Sequence, residues 1–255
     1  MPERFHRLRR ELAEEVGLVF PDYRWDSLRP ALQALLPMVE LGLPRDRERR
    51  AAVLACVTVA KTGFYRDEPL YRVLRDELIP PLVAGGRVPR LWSAGCATGE
   101  EPWSIAALLE QKAPRLAECP PCLLATDLVP SHIEIARAGV YRSPDPRPFG
   151  LPELFGPVGE PDDPVSIRDA LRSLVEFRVH NVAREEPPRR ELDLISCRNV
   201  LIYLERKDSR RVIGRLVEAL RPGGVLILGA NETLVPPRDD LELALRGPVF
   251  FHRKR

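Results

Sequence analysis

The chain has 255 residues, enough to bury a substantial core, and its 30% charged and 44% hydrophobic residues are those of an ordinary globular protein. With 39 basic and 37 acidic side chains the net charge is +2, so bulk charge gives no ground for binding nucleic acid or an acidic surface. No apolar run approaches the ~20 residues needed to span a bilayer, the N-terminus lacks an apolar signal core, and the five cysteines are few and scattered; a cytoplasmic protein without membrane insertion is expected.

The first ~80 residues read as helices by their apolar period. Phe5, Leu8, Leu12 and Val16 repeat at helical spacing, and Asp26-Ser27 reads as the cap of a helix carrying Leu28, Leu32, Leu35 and Leu36, with Pro30 in its first turn. Asp46 to Ala60 and Leu70 to Leu78 read as two more helices. After Gly85-Gly86 the pattern changes. Short apolar strands are predicted at 88–93, 122–126, 175–180, 192–197, 224–229 and 248–252, with helices at 100–109, 130–138 and 209–220. Such alternation implies a mostly parallel sheet covered on both faces. Residues 142–174 interrupt it with Pro, Gly and acidic residues, as an inserted subdomain or functional loop would.

Leu91-Trp-Ser-Ala-Gly-Cys-Ala-Thr-Gly-Glu-Glu-Pro-Trp103 carries the sharpest chemical signal. A strand runs through a turn containing Gly95 and Gly99 into a helix, and in doubly wound sheets that crevice receives nucleotide-like ligands. The spacing departs from the dinucleotide fingerprint and lacks the Lys-Ser/Thr of a phosphate loop. Glu100 and Glu101 at the helix start repel phosphate and suit a cationic ligand; read plainly, they only favour a helix N-terminus. Asp127, ending the next strand, reads either as a ribose-binding acid or as a cap for the following helix.

Together these blocks resemble the chemoreceptor glutamate methyltransferases, the CheR family. The likeness runs through Thr62-Gly-Phe-Tyr-Arg-Asp67, Trp92 to Trp103, Ala125-Thr-Asp-Leu, Phe177-Arg-Val-His-Asn-Val182, Ser196-Cys-Arg-Asn-Val-Leu-Ile-Tyr203 and Pro222 to Glu232. It implies an N-terminal helical domain (1–82) followed by a Rossmann-like S-adenosylmethionine-dependent methyltransferase domain (83–255), with 142–174 as an inserted β-subdomain. It further implies S-adenosylmethionine as cofactor, S-adenosylhomocysteine as product, the cytoplasmic helical region of a chemoreceptor as partner, and a monomer. Carried over by motif, Thr62 and Arg66 lie near the methionine end of the cofactor, and Gly95 forms its turn. Glu101, or its neighbour Glu100, faces the cationic end, and Asp127 binds ribose. Asn181 and Val182 contact adenine; Asn199 and Val200 line the pocket beside the methionine moiety. Arg66 and Tyr203 stand closest to the substrate carboxylate. Ala60 departs from the family, which often has Asn there, and one polar contact to cofactor is then lacking.

Without the resemblance, Arg66 reads as a surface ion-pair partner and Tyr203 as a strand-end aromatic. The arginines of 4–10 read as a solvated helix face laced with ion pairs; Arg45, Arg47, Arg49 and Arg50 form a second basic cluster, and although the family resemblance implicates basic residues of the helical domain in docking on receptor helices, no residue here is assigned that role. His6, His132, His180 and His252 show no metal spacing and read as structural or solvent-facing, and no metal is expected. Three other functions stay open: a non-catalytic module that senses the same cofactor, a methyltransferase for another protein or a small molecule, and, more distantly, a nicotinamide-dependent oxidoreductase.

Overall fold

The structure is a computed structural model that describes residues 3–35, 42–58, 62–142, 154–156, 163–232, 234 and 237–255. The departure at Ala60 and most of the inserted segment lie outside the described residues.

Among the described residues, helices build the N-terminal part. Helix α1 (Glu3–Glu11) continues through a π-helical turn, Leu12–Val16, that ends at Gly17. Helices α2 (Asp22–Ala34) and α3 (Arg47–Val57) follow. Phe5, Leu8, Leu12 and Val16 are all buried together with Trp25, Leu28, Leu32, Val53 and Val57, so the helical period identified the core-facing stripe. The start of α2 differs from expectation. It lies at Asp22, which places Pro30 inside the helix and not in its first turn. Asp46 caps α3 by accepting the Arg49 N–H at 2.9 Å. The arginines here are paired: Arg7 with Glu11, Arg9 with Asp22, and Arg45 and Arg50 with Glu15.

Helix α4 (Glu68–Val73), a π-turn (Leu74–Leu78) and helix α5 (Ile79–Ala84) come next. Their buried side chains, from Leu70 to Val83, join the core beneath the sheet and not the cluster of α1–α3. Among the described residues the change from one buried cluster to the other falls between Val57 and Tyr65.

A seven-stranded sheet forms the rest. Its strands are β1 (Leu91–Ala94), β2 (Leu123–Asp127), β5 (Val175–Val179), β6 (Leu192–Cys197), β7 (Leu220–Leu228), β8 (Leu241–Arg246) and β9 (Val249–Lys254), in the spatial order β5-β2-β1-β6-β7-β9-β8. Neighbours from β5 to β7 run parallel, and β9 is antiparallel to both β7 and β8. Pro89 keeps residues 88–90 out of β1, which begins at Leu91. Helices α6 (Glu100–Lys112), α7 (Pro130–Ala138) and the short α8 (Asp169–Arg172) contribute to the core on one face, together with α4 and α5; α9 (Arg206–Ala219) covers the other. Successive strands are laid outward from β1 to β2 and β5, then on its other side to β6 and β7. The order reverses at β1 and β6, so the carboxyl ends of these strands open onto a crevice. Just before the inserted segment, β3 (Val140–Tyr141) pairs antiparallel with β4 (Val165–Ser166) within it, and Phe155 bridges to Ile167.

Strand β8 was not foreseen. Leu-Glu-Leu-Ala-Leu-Arg is rich in helix formers, but Gly247-Pro248 turns it into a hairpin with β9, and tertiary pairing overrides local propensity.

One buried charge ties the first part of the sheet to its later strands. Asp193 on β6 is 1% exposed and accepts from Arg87, Arg221 and the Arg90 N–H. Burial pushes its carboxyl up, but the bonds from Arg87, Arg90 and Arg221 outweigh this and hold it below the usual carboxylate range. A depressed folded pKa adds stability above the unfolded value, and that stability is lost as pH falls. Thermal unfolding of Asp193→Asn is expected to show lower stability at neutral pH, by roughly 2 kcal/mol. It is also expected to show a shallower loss of stability than the parent chain below about pH 4.

Candidate active site

Two abutting cavities open at the carboxyl ends of the central strands. The larger, about 230 Å³, is walled by Thr62, Arg66, Tyr71, Glu101, Arg198 and Ile202 among others. The smaller, about 100 Å³, is walled by Val16, Leu18, Asp127, His132, Asn181 and Val182 among others. Gly95, Ala97, Asn199 and Tyr203 border both. Every site residue named from the sequence therefore lines one cavity or the other: Thr62, Arg66 and Glu101 the larger, Asp127, Asn181, Val182 and Val200 the smaller, and Gly95, Asn199 and Tyr203 both.

The floor is the turn after β1. Gly95 has φ +79°, and its N–H and that of Cys96 bond to the Thr126 carbonyl at 2.7 and 2.9 Å, pinning the turn to β2. A Cβ on Gly95 would meet Val200 Cγ2 at 2.3 Å, so only glycine permits this approach. Asp127 extends from β2 beneath the turn. Its Oδ2 accepts the Ala97 N–H at 2.9 Å; Oδ1 accepts the Val129 N–H at 2.9 Å and lies 3.1 Å from His132 Nδ1. A carboxylate offers about four lone-pair directions, so room for roughly one further donor remains.

The adjacent acids separate. Glu101 lines the larger cavity, with Oε1 accepting from Ser93 Oγ at 2.8 Å and Oε2 from Arg198 at 3.2 Å. Glu100 turns to the Thr98 hydroxyl at 2.8 Å, and burial pushes its carboxyl up against the hydrogen bonds from Thr98 and Thr62. Glu101 is thus the acid that faces the cavity.

The segment 62–67 forms the opposite wall. Phe64 packs edge-on against Tyr141 and Phe155 at 5.0 and 5.1 Å between ring centres, and Tyr65 packs against Tyr71 at 5.1 Å. The Tyr65 N–H bonds to Ser104 Oγ at 3.0 Å. These anchors leave Thr62 and Arg66 on the cavity side. Tyr65 and Asp67 hold left-handed backbone conformations, as do Ala97 and Asn199 nearby. Side chains other than glycine adopt that region at a cost, and its clustering at one pocket marks a built site.

Four groups of the cavity walls were given no site role from the sequence, His132 and His180 having been read as structural or solvent-facing. Arg198 bonds to Glu101, to Asp67 and to the Arg66 carbonyl, tying three parts of the wall together. Only its place between Cys197 and Asn199 signalled it. The Tyr71 hydroxyl is buried in the larger cavity's wall beside Ser104, with no partner in good hydrogen-bonding geometry among the described residues. His132 and His180 line the smaller cavity, where spacing along the chain carried no hint of them. Asn181 is a partial departure: its amide donates to the Val16 carbonyl at 3.0 Å and accepts the Ala183 N–H at 2.9 Å. Its side chain braces the N-terminal part against the site, while its main-chain N–H donates to Glu185 and its carbonyl accepts from the N–H groups of Arg184 and Glu185.

The turn 199–203 is organised by Glu232. This carboxylate is 4% exposed and accepts the N–H groups of Asn199, Leu201 and Gly229, each at 2.8 Å. Tyr203 is held by its own carbonyl accepting the Val19 N–H at 2.7 Å and by Phe20, 6.0 Å away between rings. Replacing Glu232 by Gln sets an amide N–H₂ against backbone donors. Glu232→Gln is expected to lower stability by about 2–3 kcal/mol in thermal unfolding and to weaken any ligand of both cavities at least about tenfold in calorimetry.

Comparison with known proteins places this site in a family. The family profile described as CheR methyltransferase, SAM binding domain, matches residues 60–246. A chemotaxis protein methyltransferase of Vibrio parahaemolyticus is 31% identical over 265 residues, covering 96% of this chain and 94% of the relative. Chemotaxis protein methyltransferase 1 of Vibrio cholerae is 30% identical with the same coverage. Chemotaxis protein methyltransferase 1 of Pseudomonas aeruginosa is 31% identical over 81% of this chain and 78% of its own. The profile spans the whole wall from Thr62 to Glu232, and on that ground the chain belongs to the CheR family of S-adenosylmethionine-dependent methyltransferases.

Proposed function

We propose that the chain acts in the cytoplasm, transferring the methyl group of S-adenosylmethionine to glutamate carboxylates on the helical cytoplasmic region of a chemoreceptor. One observation carries this reading: a guanidinium (Arg66), a phenol (Tyr203) and an acid (Glu101) border one cavity that continues past Gly95 to Asp127.

The residues present fit the cofactor. Tyr71 offers a buried hydroxyl with no well-aligned partner among the described residues, Gly95 leaves the space a Cβ would fill, and Glu101 and Asp127 place acids on the walls. Asp127 would hold the ribose, with Asn181 and Val182 beside the adenine. Glu101 and Thr62 would take the methionine end, beside Asn199 and Val200. When bound, S-adenosylmethionine supplies a methyl already activated by its sulfonium and leaves as S-adenosylhomocysteine.

The protein's own task is then orientation. A glutamate side chain is ionised at neutral pH, so no general base is needed to deprotonate it. Arg66 can hold one carboxylate oxygen through its N–H fork and leave the other free to attack. Tyr203, fixed from behind by Phe20 and Val19, can set the carboxylate's angle. Alignment at contact distance supplies the rate, which is catalysis by proximity. A grip that only neutralised the carboxylate would gain nothing.

Incubation with methyl-labelled cofactor and chemoreceptor fragments is expected to yield base-labile label on glutamates, as methyl esters release. Base-stable label, or label on a small molecule only, would overturn the proposed substrate. Arg66→Ala is expected to lower kcat at least about 100-fold while changing the affinity for S-adenosylhomocysteine less than about threefold. Asp127→Ala is expected to do the reverse in calorimetry, weakening the cofactor about tenfold or more.

A further inference from the structure

The smaller cavity leaves Asp127 short of acceptor sites. Its Oδ1 accepts the Val129 N–H and lies 3.1 Å from His132 Nδ1, and its Oδ2 accepts the Ala97 N–H. Of about four lone-pair directions on a carboxylate, roughly one stays open, on Oδ2. A ribose carries two neighbouring hydroxyls, so Asp127 can take one and the other needs a second partner.

The other polar side chains of that cavity decide which. The Thr58 hydroxyl donates to the Leu54 carbonyl at 2.7 Å. The Asn181 amide is bonded through both of its ends, to Val16 and Ala183. His180 directs Nε2 at the Glu186 carbonyl, 2.9 Å away, and its Nδ1 is enclosed by protein. Asn199 stands where the two cavities meet, toward the methionine end. That leaves the imidazole of His132.

Its place follows from the local sequence. Pro130 opens α7 with a φ already suited to a helix, and the Val129 N–H, bonded to Asp127, ties the strand end to the helix start. His132 therefore falls in the first turn of α7, on the side that buries Ile133 and Ala136, and is itself 8% exposed. Its contact with Asp127 goes through Nδ1. An ionised carboxylate only accepts, so Nδ1 carries the proton, and in the neutral ring Nε2 is then an acceptor. Among the described residues Nε2 has no hydrogen-bond partner, yet it is not one of the side-chain atoms sealed in the interior; it opens onto the cavity that His132 borders. A brace for Asp127 alone would need only Nδ1.

We propose that His132 is a second ribose-binding residue: resting on the placement of the ribose at Asp127 proposed for this site, Asp127 Oδ2 receives one ribose hydroxyl of the cofactor and His132 Nε2 the other. The pair makes the cavity selective for an intact ribose diol, each hydroxyl read by a different side chain.

Titration calorimetry with S-adenosylhomocysteine and its 2′-deoxy and 3′-deoxy analogues tests this. The parent chain is expected to bind each analogue at least about fivefold more weakly than S-adenosylhomocysteine. His132→Asn keeps a nitrogen near the place of Nδ1, to hold Asp127, and has no atom where Nε2 was; circular dichroism confirms its fold. It is expected to bind S-adenosylhomocysteine about tenfold more weakly than the parent does. One analogue, lacking the hydroxyl that His132 reads, is expected to bind variant and parent within about twofold of each other, while the other loses affinity in the variant as S-adenosylhomocysteine does. A parent chain indifferent to either hydroxyl would overturn the proposal without any variant. So would a His132→Asn chain that binds all three ligands as the parent does, or one that loses affinity for all three equally, as a mere brace would. Asp127→Ala separates the two levels. Unchanged affinity there refutes the place of the ribose and this inference with it, whereas a loss there beside an unaffected His132→Asn refutes this inference alone.

Discussion

The backbone at Gly95 passes so close to Val200 that no side chain fits between them. That approach presses the turn after β1 against the turn after β6, and the two turns border both cavities. The contact is held from each side. Thr126 receives the N–H groups of Gly95 and Cys96, and Glu232 receives those of Asn199 and Leu201. Each acceptor sits on or just beyond a strand of the parallel sheet. The crevice of a doubly wound sheet is thereby narrowed into a shaped site by a few buried acceptors whose loss would leave backbone donors without partners.

Charge is arranged around this frame with little left over. Arg198 spans Glu101 and Asp67, and Asp127 spends three bonds on the protein itself. Such pairing keeps the walls rigid before a ligand arrives, the condition under which orientation contributes to rate. It also explains why the chemistry needs few special groups. A methyl on a sulfonium and an ionised carboxylate are both ready to react, and the protein has to bring them into line.

Much of this was legible in the sequence because local rules and chemistry agreed there. The Gly95 turn, Asp127 at a strand end and the Asn199 to Tyr203 block stand at positions where the backbone or a ligand dictates the residue type. Other features depended on partners distant along the chain. Arg198 matters through Asp67 and Glu101, which lie 131 and 97 positions away. Tyr71 reads as one more apolar residue of a helical stripe until its hydroxyl is found in a cavity wall. The choice between Glu100 and Glu101 turns on Ser93 and Arg198, neither of which their adjacency reveals. Strand β8 was missed because Leu, Glu, Ala and Arg favour helix locally, and only its hairpin with β9 makes it a strand.

The most direct measurement is a crystal structure with S-adenosylhomocysteine. Electron density for the adenosine is expected in the smaller cavity, its ribose on Asp127, with the sulfur past Gly95 and open toward Arg66 and Tyr203. Density lying elsewhere, or a larger cavity filled by protein with Arg66 and Tyr203 turned away from the sulfur, would contradict the assignment of this pocket as the place where the methyl group is transferred.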